Sequence, residues 1–206
     1  SADTPPTSSD RTYTVLAVAS ATDQTPHPLP AGDVVLGATD AALHGAFRYD
    51  VAADLVLVRG EGHSDAPKQP GPDHATWRFN APAGTYNLWI RGGSGGDHKT
   101  DSVWLSLDGF PLTPAARSGR AAQGLGNWRD SYPPDGLGWA SYTPANTGLR
   151  VELRGRGPHE LVLTARHQPC AVSQVWLSRA QELPPPFAGP LLPSEPPEPP
   201  AAREAQ

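Results

Sequence analysis

Three stretches of this sequence carry residues that could do chemistry. Gly92-Gly93-Ser94-Gly95-Gly96 has the G-x-S-x-G spacing of serine hydrolases. In those enzymes a strand turns sharply into a helix and presents the serine at the helix N-terminus. Here the motif joins two strand-like runs, and its glycines start a helix poorly. The expectation is a flexible hairpin loop without a nucleophile. No Lys-Ser/Thr pair and no helix follow the glycines, so they do not form a phosphate cradle either. His63, Asp65, Asp73 and His74 share one proline-rich polar loop, and Asp97, His98 and Asp101 form a second polar group. Oxygen and imidazole ligands at such spacing could collect a divalent ion, although a polar loop is most often simply solvated. No carboxylate pair and no Ser/His/Asp set stands in a recognisable acid/base or nucleophile context. The expectation is a non-catalytic chain with no cofactor and no metal.

The elements that would position any site read as strands. Period-two alternation bounded by Gly, Pro and Asp marks Thr12–Ala19, Ala53–Arg59, Ala75–Phe79, Thr85–Arg91, Asp101–Leu107, Leu137–Thr143, Gly148–Arg154, His159–Arg166 and Val172–Arg179. Turn residues separate them, among them Asp108-Gly109 and Gln168-Pro169. Only Ala38–Leu43 suggests a helical turn. Short strands without a helical stripe predict an all-β fold, an antiparallel two-sheet, jelly-roll-like β-sandwich.

Alternation also assigns faces. Tyr86, Leu88 and Ile90 share one face and Asn87, Trp89 and Arg91 the other. Val103, Leu105 and Leu107 oppose Ser102, Trp104 and Ser106, while Val175 and Leu177 oppose Gln174, Trp176 and Ser178. Trp89, Trp104 and Trp176 therefore fall on the polar sides of their strands. A solvated face rarely carries three tryptophans, so a cover is expected over them, either a partner or the chain's own C-terminal segment.

Composition bounds the class. The chain has 206 residues, with 21 Gly and 25 Pro, and the prolines cluster near the ends and at residues 67–72. The division expected is an N-terminal arm over 1–11, a sandwich over 12–182 and a proline-rich C-terminal arm over 183–206. A net charge of -5 with interspersed signs offers no basic stripe for nucleic acid. No apolar run is long enough to span a bilayer. Cys170 stands alone, which leaves no internal disulfide and no thiolate metal site.

From Ala75 to Leu177 the sequence resembles carbohydrate-binding modules of the family 6, family 35 or malectin-like type. The matching stretches are Trp77-Arg78-Phe79 with Ala81-Pro82-Ala83-Gly84-Thr85-Tyr86-Asn87-Leu88-Trp89-Ile90-Arg91, then Asp101-Ser102-Val103-Trp104-Leu105-Ser106-Leu107-Asp108-Gly109. Gly157-Pro158-His159-Glu160-Leu161-Val162-Leu163 and Val172-Ser173-Gln174-Val175-Trp176-Leu177 complete the order. The resemblance implies sugar stacking on aromatics, either on loops at one sandwich edge or on a concave sheet face. Trp128, Tyr132, Trp139 and Tyr142, with Arg129, Asp130 and Asn127 nearby, are the loop candidates. Such modules often hold a structural calcium through a Glu-x-Glu first strand and a late Asp. Here Val15-Leu16-Ala17-Val18-Ala19-Ser20 has no carboxylate, and Ser173 and Gln174 stand where the late acid would lie, so that site is not expected.

Two functions follow as expectations. The leading one is a docking or accessory subunit of a larger protein assembly outside the cytoplasm, periplasmic or extracellular. Its docking residues would be Trp89, Trp104 and Trp176, with Phe187, Leu191 and Leu192 as apolar anchors in the C-terminal arm. A proline-rich arm of this kind suits aromatic-lined grooves. The alternative is a module that binds a polysaccharide through the loop aromatics.

Overall fold

The computed structural model describes residues 23–60, 62–63, 67–94, 102–112, 125–126, 137–141, 147–166 and 168–193. Within them the strands are β1 (His27–Pro28), β2 (Val34–Gly37), β3 (Ala42–His44), β4 (Arg48–Asp50), β5 (Leu55–Val58), β6 (His74–Phe79), β7 (Gly84–Ser94) and β8 (Ser102–Leu107). They continue as β9 (Phe110–Leu112), β10 (Leu125–Gly126), β11 (Gly138–Ala140), β12 (Leu149–Leu153), β13 (His159–Ala165), β14 (Cys170–Ser178) and β15 (Leu191–Leu192). The helical turn expected over Ala38–Leu43 is a 3-10 turn, Ala38–Asp40. Its second half is β3 instead. The strand expected at Thr12–Ala19 lies outside the described residues.

Two antiparallel sheets form the jelly-roll-like sandwich. The first runs β10-β8-β13-β6-β3, with β9 also on β8; the second runs β11-β7-β14-β5-β4, with β12 also on β7 and β2 on β14. Between them lie the residues that alternation turned inward: Tyr86, Leu88 and Ile90 face Val103, Leu105, Leu161 and Leu163, and Trp77 fills the space beside them. Trp77 donates its indole N–H to Gly37 O at 2.7 Å, which settles the one polar atom it brings into the core. Strand β8 turns into β9 through Asp108 and Gly109, at φ 51° and 81°. A two-residue hairpin of the type I′ kind needs positive φ at both positions, which Asp tolerates and Gly prefers.

One expectation is corrected. Gly92, Gly93 and Ser94 do not form a hairpin loop; they are the buried end of β7. Gly92 lies opposite Val172 on one side and Gly138 on the other, and two ladders of backbone hydrogen bonds outweigh the weak strand preference of glycine. Ser94 is wholly buried opposite Cys170 and cannot be presented on a nucleophile turn.

Candidate functional site

The outer faces of the two sheets differ in kind, and each follows from cross-strand register. On the second sheet, Trp89 lies opposite Trp176, and Arg91 lies opposite Gln174 on one side and Trp139 on the other. The result is a patch of three indoles around a guanidinium and an amide. A register shift between Val172 and Gln174 absorbs Ser173 as an extra residue, and this aligns Gln174 with Arg91.

That patch is covered by the chain itself. Trp89 donates to Gln181 O at 2.8 Å and Trp139 to Gly189 O at 3.0 Å. Gln174 donates to Leu191 O and accepts from Leu191 N–H, both at 2.8 Å. Trp176 and Ser178 donate to the Asp33 carboxylate at 3.0 and 2.6 Å, and the Arg179 N–H donates to it at 2.9 Å. Phe187 stacks on His27 at 4.0 Å and lies 6.3 Å from Trp176. Leu191 is buried against Trp89 and Trp176. Residues 181–192 thus lie across the outer face as a strap, joined at their end to β1 by the parallel pair β1–β15.

Arg91 is the charge in this patch. It is 5% exposed, and it donates to Ala188 O, Ser173 Oγ and Gln24 Oε1 at 2.7, 3.0 and 2.5 Å. None of these acceptors is ionised. Burial pulls its pKa down to about 10, against a smaller opposing pull from Asp54, so the side chain remains a cation at neutral pH.

The grouping of three tryptophans needs correction. Trp104 belongs to the first sheet, away from the other two. Its N–H donates to His63 O at 2.8 Å and the Arg166 guanidinium lies 5.4 Å from its ring centroid. Pro67 and Pro70 line the small gap beside it. Alternation shows which side of a strand a residue takes, not which sheet the strand joins. Leu192 is also corrected as a self-docking anchor: it is 51% exposed, whereas its neighbour Leu191 is 1% exposed, because adjacent strand residues point to opposite sides.

Among the loop aromatics, Trp128, Arg129, Asp130, Tyr132 and Tyr142 lie outside the described residues, as does Asn127. Trp139 is half-buried, and its indole is engaged by the strap and packs edge-on to Trp176 at 5.6 Å. Of the polar loop, Asp65 lies outside the described residues. Asp73 accepts the Ala46 N–H at 2.8 Å and the His74 Nδ1–H donates to Gly71 O at 2.8 Å. Both side chains tie the loop. Asp97, His98 and Asp101 lie outside the described residues, and among the described ones no three His, Cys, Asp or Glu side chains gather.

Beyond the cover over Trp104, the outer face of the first sheet is open. A groove of about 550 Å³ crosses β3, β6 and β13, lined by Asp40, His44, His74, Thr76, Arg78 and Glu160 above Ala42 and Val162. Register builds it: His44 lies opposite His74, Ala42 and Val162 flank Thr76, and Glu160 lies opposite Arg78. The two imidazoles stack at 4.2 Å with 15° between planes. Arg78 Nε donates to Glu160 at 3.2 Å, and both side chains remain largely exposed. Pro70 stands at one rim. Apart from His74, sequence reading missed these residues. The outward turn of Thr76 and Arg78 between Ala75, Trp77 and Phe79 was legible, but the strand that closes the groove, β3, is too short to show alternation.

No protein-family model and no curated protein matches the chain. Similar solved structures include a Podospora anserina GH26-CBM35 β-(1,4)-mannanase, at 17% identity and TM-score 0.47 over 75% of this chain and 29% of the mannanase. A family 35 carbohydrate-binding module from Clostridium thermocellum has 16% identity and TM-score 0.44 over 70% of this chain and 98% of its own. A carbohydrate-binding module from Cellvibrio mixtus lichenase 5A, in complex with cellotriose, has 13% identity and TM-score 0.40 over 72% and 98%. At these values the choice of ligand and site rests on the chain's own residues.

Proposed function

We propose that the chain is a non-catalytic glycan-binding module working outside the cytoplasm, and that a saccharide lies in the groove across β3, β6 and β13. The observation that carries this reading is an open groove whose polar side chains match sugar hydroxyls over an apolar floor. Arg78 donates, Glu160 and Asp40 accept, and Thr76 does both. The stacked imidazoles of His44 and His74 line the groove, and Ala42 and Val162 supply its apolar base. The order of sequence elements resembling carbohydrate-binding modules supports the same class. A docking subunit was expected in part because the tryptophans needed a cover, besides the proline-rich arms. The strap and the loop carrying His63 supply that cover within the chain, so burial of the tryptophans does not by itself call for a larger assembly.

Affinity electrophoresis against a panel of neutral and acidic polysaccharides, followed by calorimetry with oligosaccharides, tests the reading. Retention by at least one polysaccharide, weakened by His44→Ala and by Arg78→Ala, is the expected result. Failure to bind any glycan would sink the function. Binding that survives both substitutions but is lost in Trp128→Ala would move the site to the loop aromatics.

A further inference from the structure

We infer that the outer face of β7 and β14 is a peptide-binding groove for an extended proline-rich segment, filled in this structure by the chain's own residues 181–192. This face belongs to the other sheet from the proposed glycan groove and is independent of it.

The strap sits on a sheet that is already complete. Strands β7 and β14 pair with each other and with β11, β12, β2 and β5, so their ladders do not need the strap. Only the two-residue pair β1–β15 is made with it. Its apolar contacts form a cluster with Trp89 and Trp176, separate from the inter-sheet core.

Donors and acceptors on the two partners are complementary in an unusual sense. The face offers the indole N–H groups of Trp89 and Trp139, the Arg91 guanidinium and the Gln174 amide. All four donate to backbone carbonyls of the strap, those of Gln181, Gly189, Ala188 and Leu191. Two acceptors of the face, Gln174 Oε1 and Ser178 Oγ, take strap N–H groups, those of Leu191 and Gln181, so donors outnumber acceptors two to one. A proline-rich segment has the matching imbalance, because each proline keeps its carbonyl and lacks an N–H. The strap has prolines at 184, 185, 186 and 190, and Pro193 follows it. A face rich in donors and aromatic rings is the general chemistry of proline-rich peptide recognition.

Two features give the groove selectivity beyond proline content. Phe187 and Leu191 are the apolar anchors, packed against Trp176 and against Trp89 with Trp176. Gly189 passes so close to the N-terminal segment that a Cβ there would lie 1.7 Å from Thr25 O and 2.9 Å from Gln24 C. The occupant must therefore carry glycine between its two anchors. The partner chemistry is an extended peptide of the form Phe-Ala-Gly-Pro-Leu flanked by prolines, with the chain's own copy as resident competitor.

The test begins with the full chain, folded and then cut at a protease site inserted between Glu182 and Leu183, where Leu183 is 60% exposed. Fluorescent synthetic peptide of sequence 183–193 is titrated into the nicked protein. Expected are saturable exchange with the resident fragment, binding at least tenfold weaker for the peptide carrying Gly189→Ala, and a comparable loss when the body carries Gln174→Ala. The proposal is overturned if the body stays folded but takes up no peptide, if it unfolds as the fragment leaves, or if the Gly189→Ala peptide binds like its parent. Where the insertion prevents folding, amide hydrogen exchange on the uncut wild type decides. Strap amides of Ala188 and Leu191 exchanging well before those of β7 support a seated ligand. Exchange of both together would make the strap a component of the cooperative fold and end the proposal.

Discussion

Gln174 and Leu191 exchange two hydrogen bonds of 2.8 Å, side-chain amide to backbone, in a buried site on the outer face of β14. The amide does for Leu191 what a neighbouring strand would do, satisfying both its N–H and its carbonyl. A residue that reads as a surface glutamine is in this way the clasp of the strap.

Replacing that clasp should show what it contributes. Gln174→Ala leaves the Leu191 N–H and carbonyl buried without these partners, a loss of about 1–3 kcal/mol by the cost of unsatisfied buried polar groups. Gln174→Glu keeps an acceptor for the N–H but sets a carboxylate against Leu191 O, and should cost more at neutral pH. Urea unfolding of the three proteins measures the order, and an alanine variant as stable as wild type would contradict it.

Gly189 tests the fit of the strap against the N-terminal segment. A methyl group there meets the Thr25 carbonyl at 1.7 Å, so Gly189→Ala should cost at least about 1–3 kcal/mol, the usual range for overpacking. Tryptophan emission should shift to the red as Trp89, Trp139 and Trp176 meet water. Gly138→Ala is the control, since nothing lies within 4 Å of a Cβ at that position. Equal behaviour of the two variants would refute the close approach as the cause.

Arg91 gives a prediction with a definite sign. Burial holds its folded pKa at about 10, below its ordinary value in the unfolded chain. Between those values the unfolded chain binds more protons than the folded one, so this group makes stability rise with pH across that window. At neutral pH its desolvation cost is fully present and is offset by the bonds to Ala188 O, Ser173 Oγ and Gln24 Oε1. Arg91→Met should therefore be less stable than wild type at neutral pH, through the orphaned Ala188 carbonyl. The gap should widen as pH rises above about 10. Urea titrations of both proteins on either side of pH 10 read it, and a narrowing gap would count against the assignment.

Arg78 separates binding from folding. Its pair with Glu160 has side-chain exposures of 79% and 45%, and exposed pairs are typically worth about 0–1 kcal/mol. Arg78→Ala should leave the melting temperature nearly unchanged while weakening glycan retention by about tenfold, an ordinary loss for a polar anchor truncated in a binding site. A large drop in melting temperature would show that the pair holds the sheet rather than a ligand.

The strands with long alternation were legible because burial of one face imposes period two on the sequence. Tyr86, Leu88 and Ile90 declared their inner face in this way, as did Val103, Leu105 and Leu107. What the pattern could not carry was anything fixed by a partner strand. Val34–Gly37, Ala42–His44 and Arg48–Asp50 are too short for a period, and they become strands only because β14, β6 and β5 offer free edges. The groove depends on β3, so it was hidden with it. The need for a cover over Trp89 and Trp176 was visible from their polar neighbours. Which of the two expected covers applies, a partner or the chain's own C-terminal segment, and the separate cover over Trp104, depend on tertiary placement.

The parallel pairing of β1 with β15 has a mechanical consequence. The His27 N–H donates to Pro190 O and the Leu29 N–H to Leu192 O, both at 2.8 Å. In a parallel pair, a pull on the chain before His27 and an opposite pull after Leu192 act along the strands from opposite ends. Such a load shears the pair, straining these bonds together with the Gln174 clasp, where an antiparallel pair pulled from one end would unzip bond by bond. Tension between the flanking segments would meet the strap as a lap joint, and the sandwich beneath would feel force only after that joint had slipped.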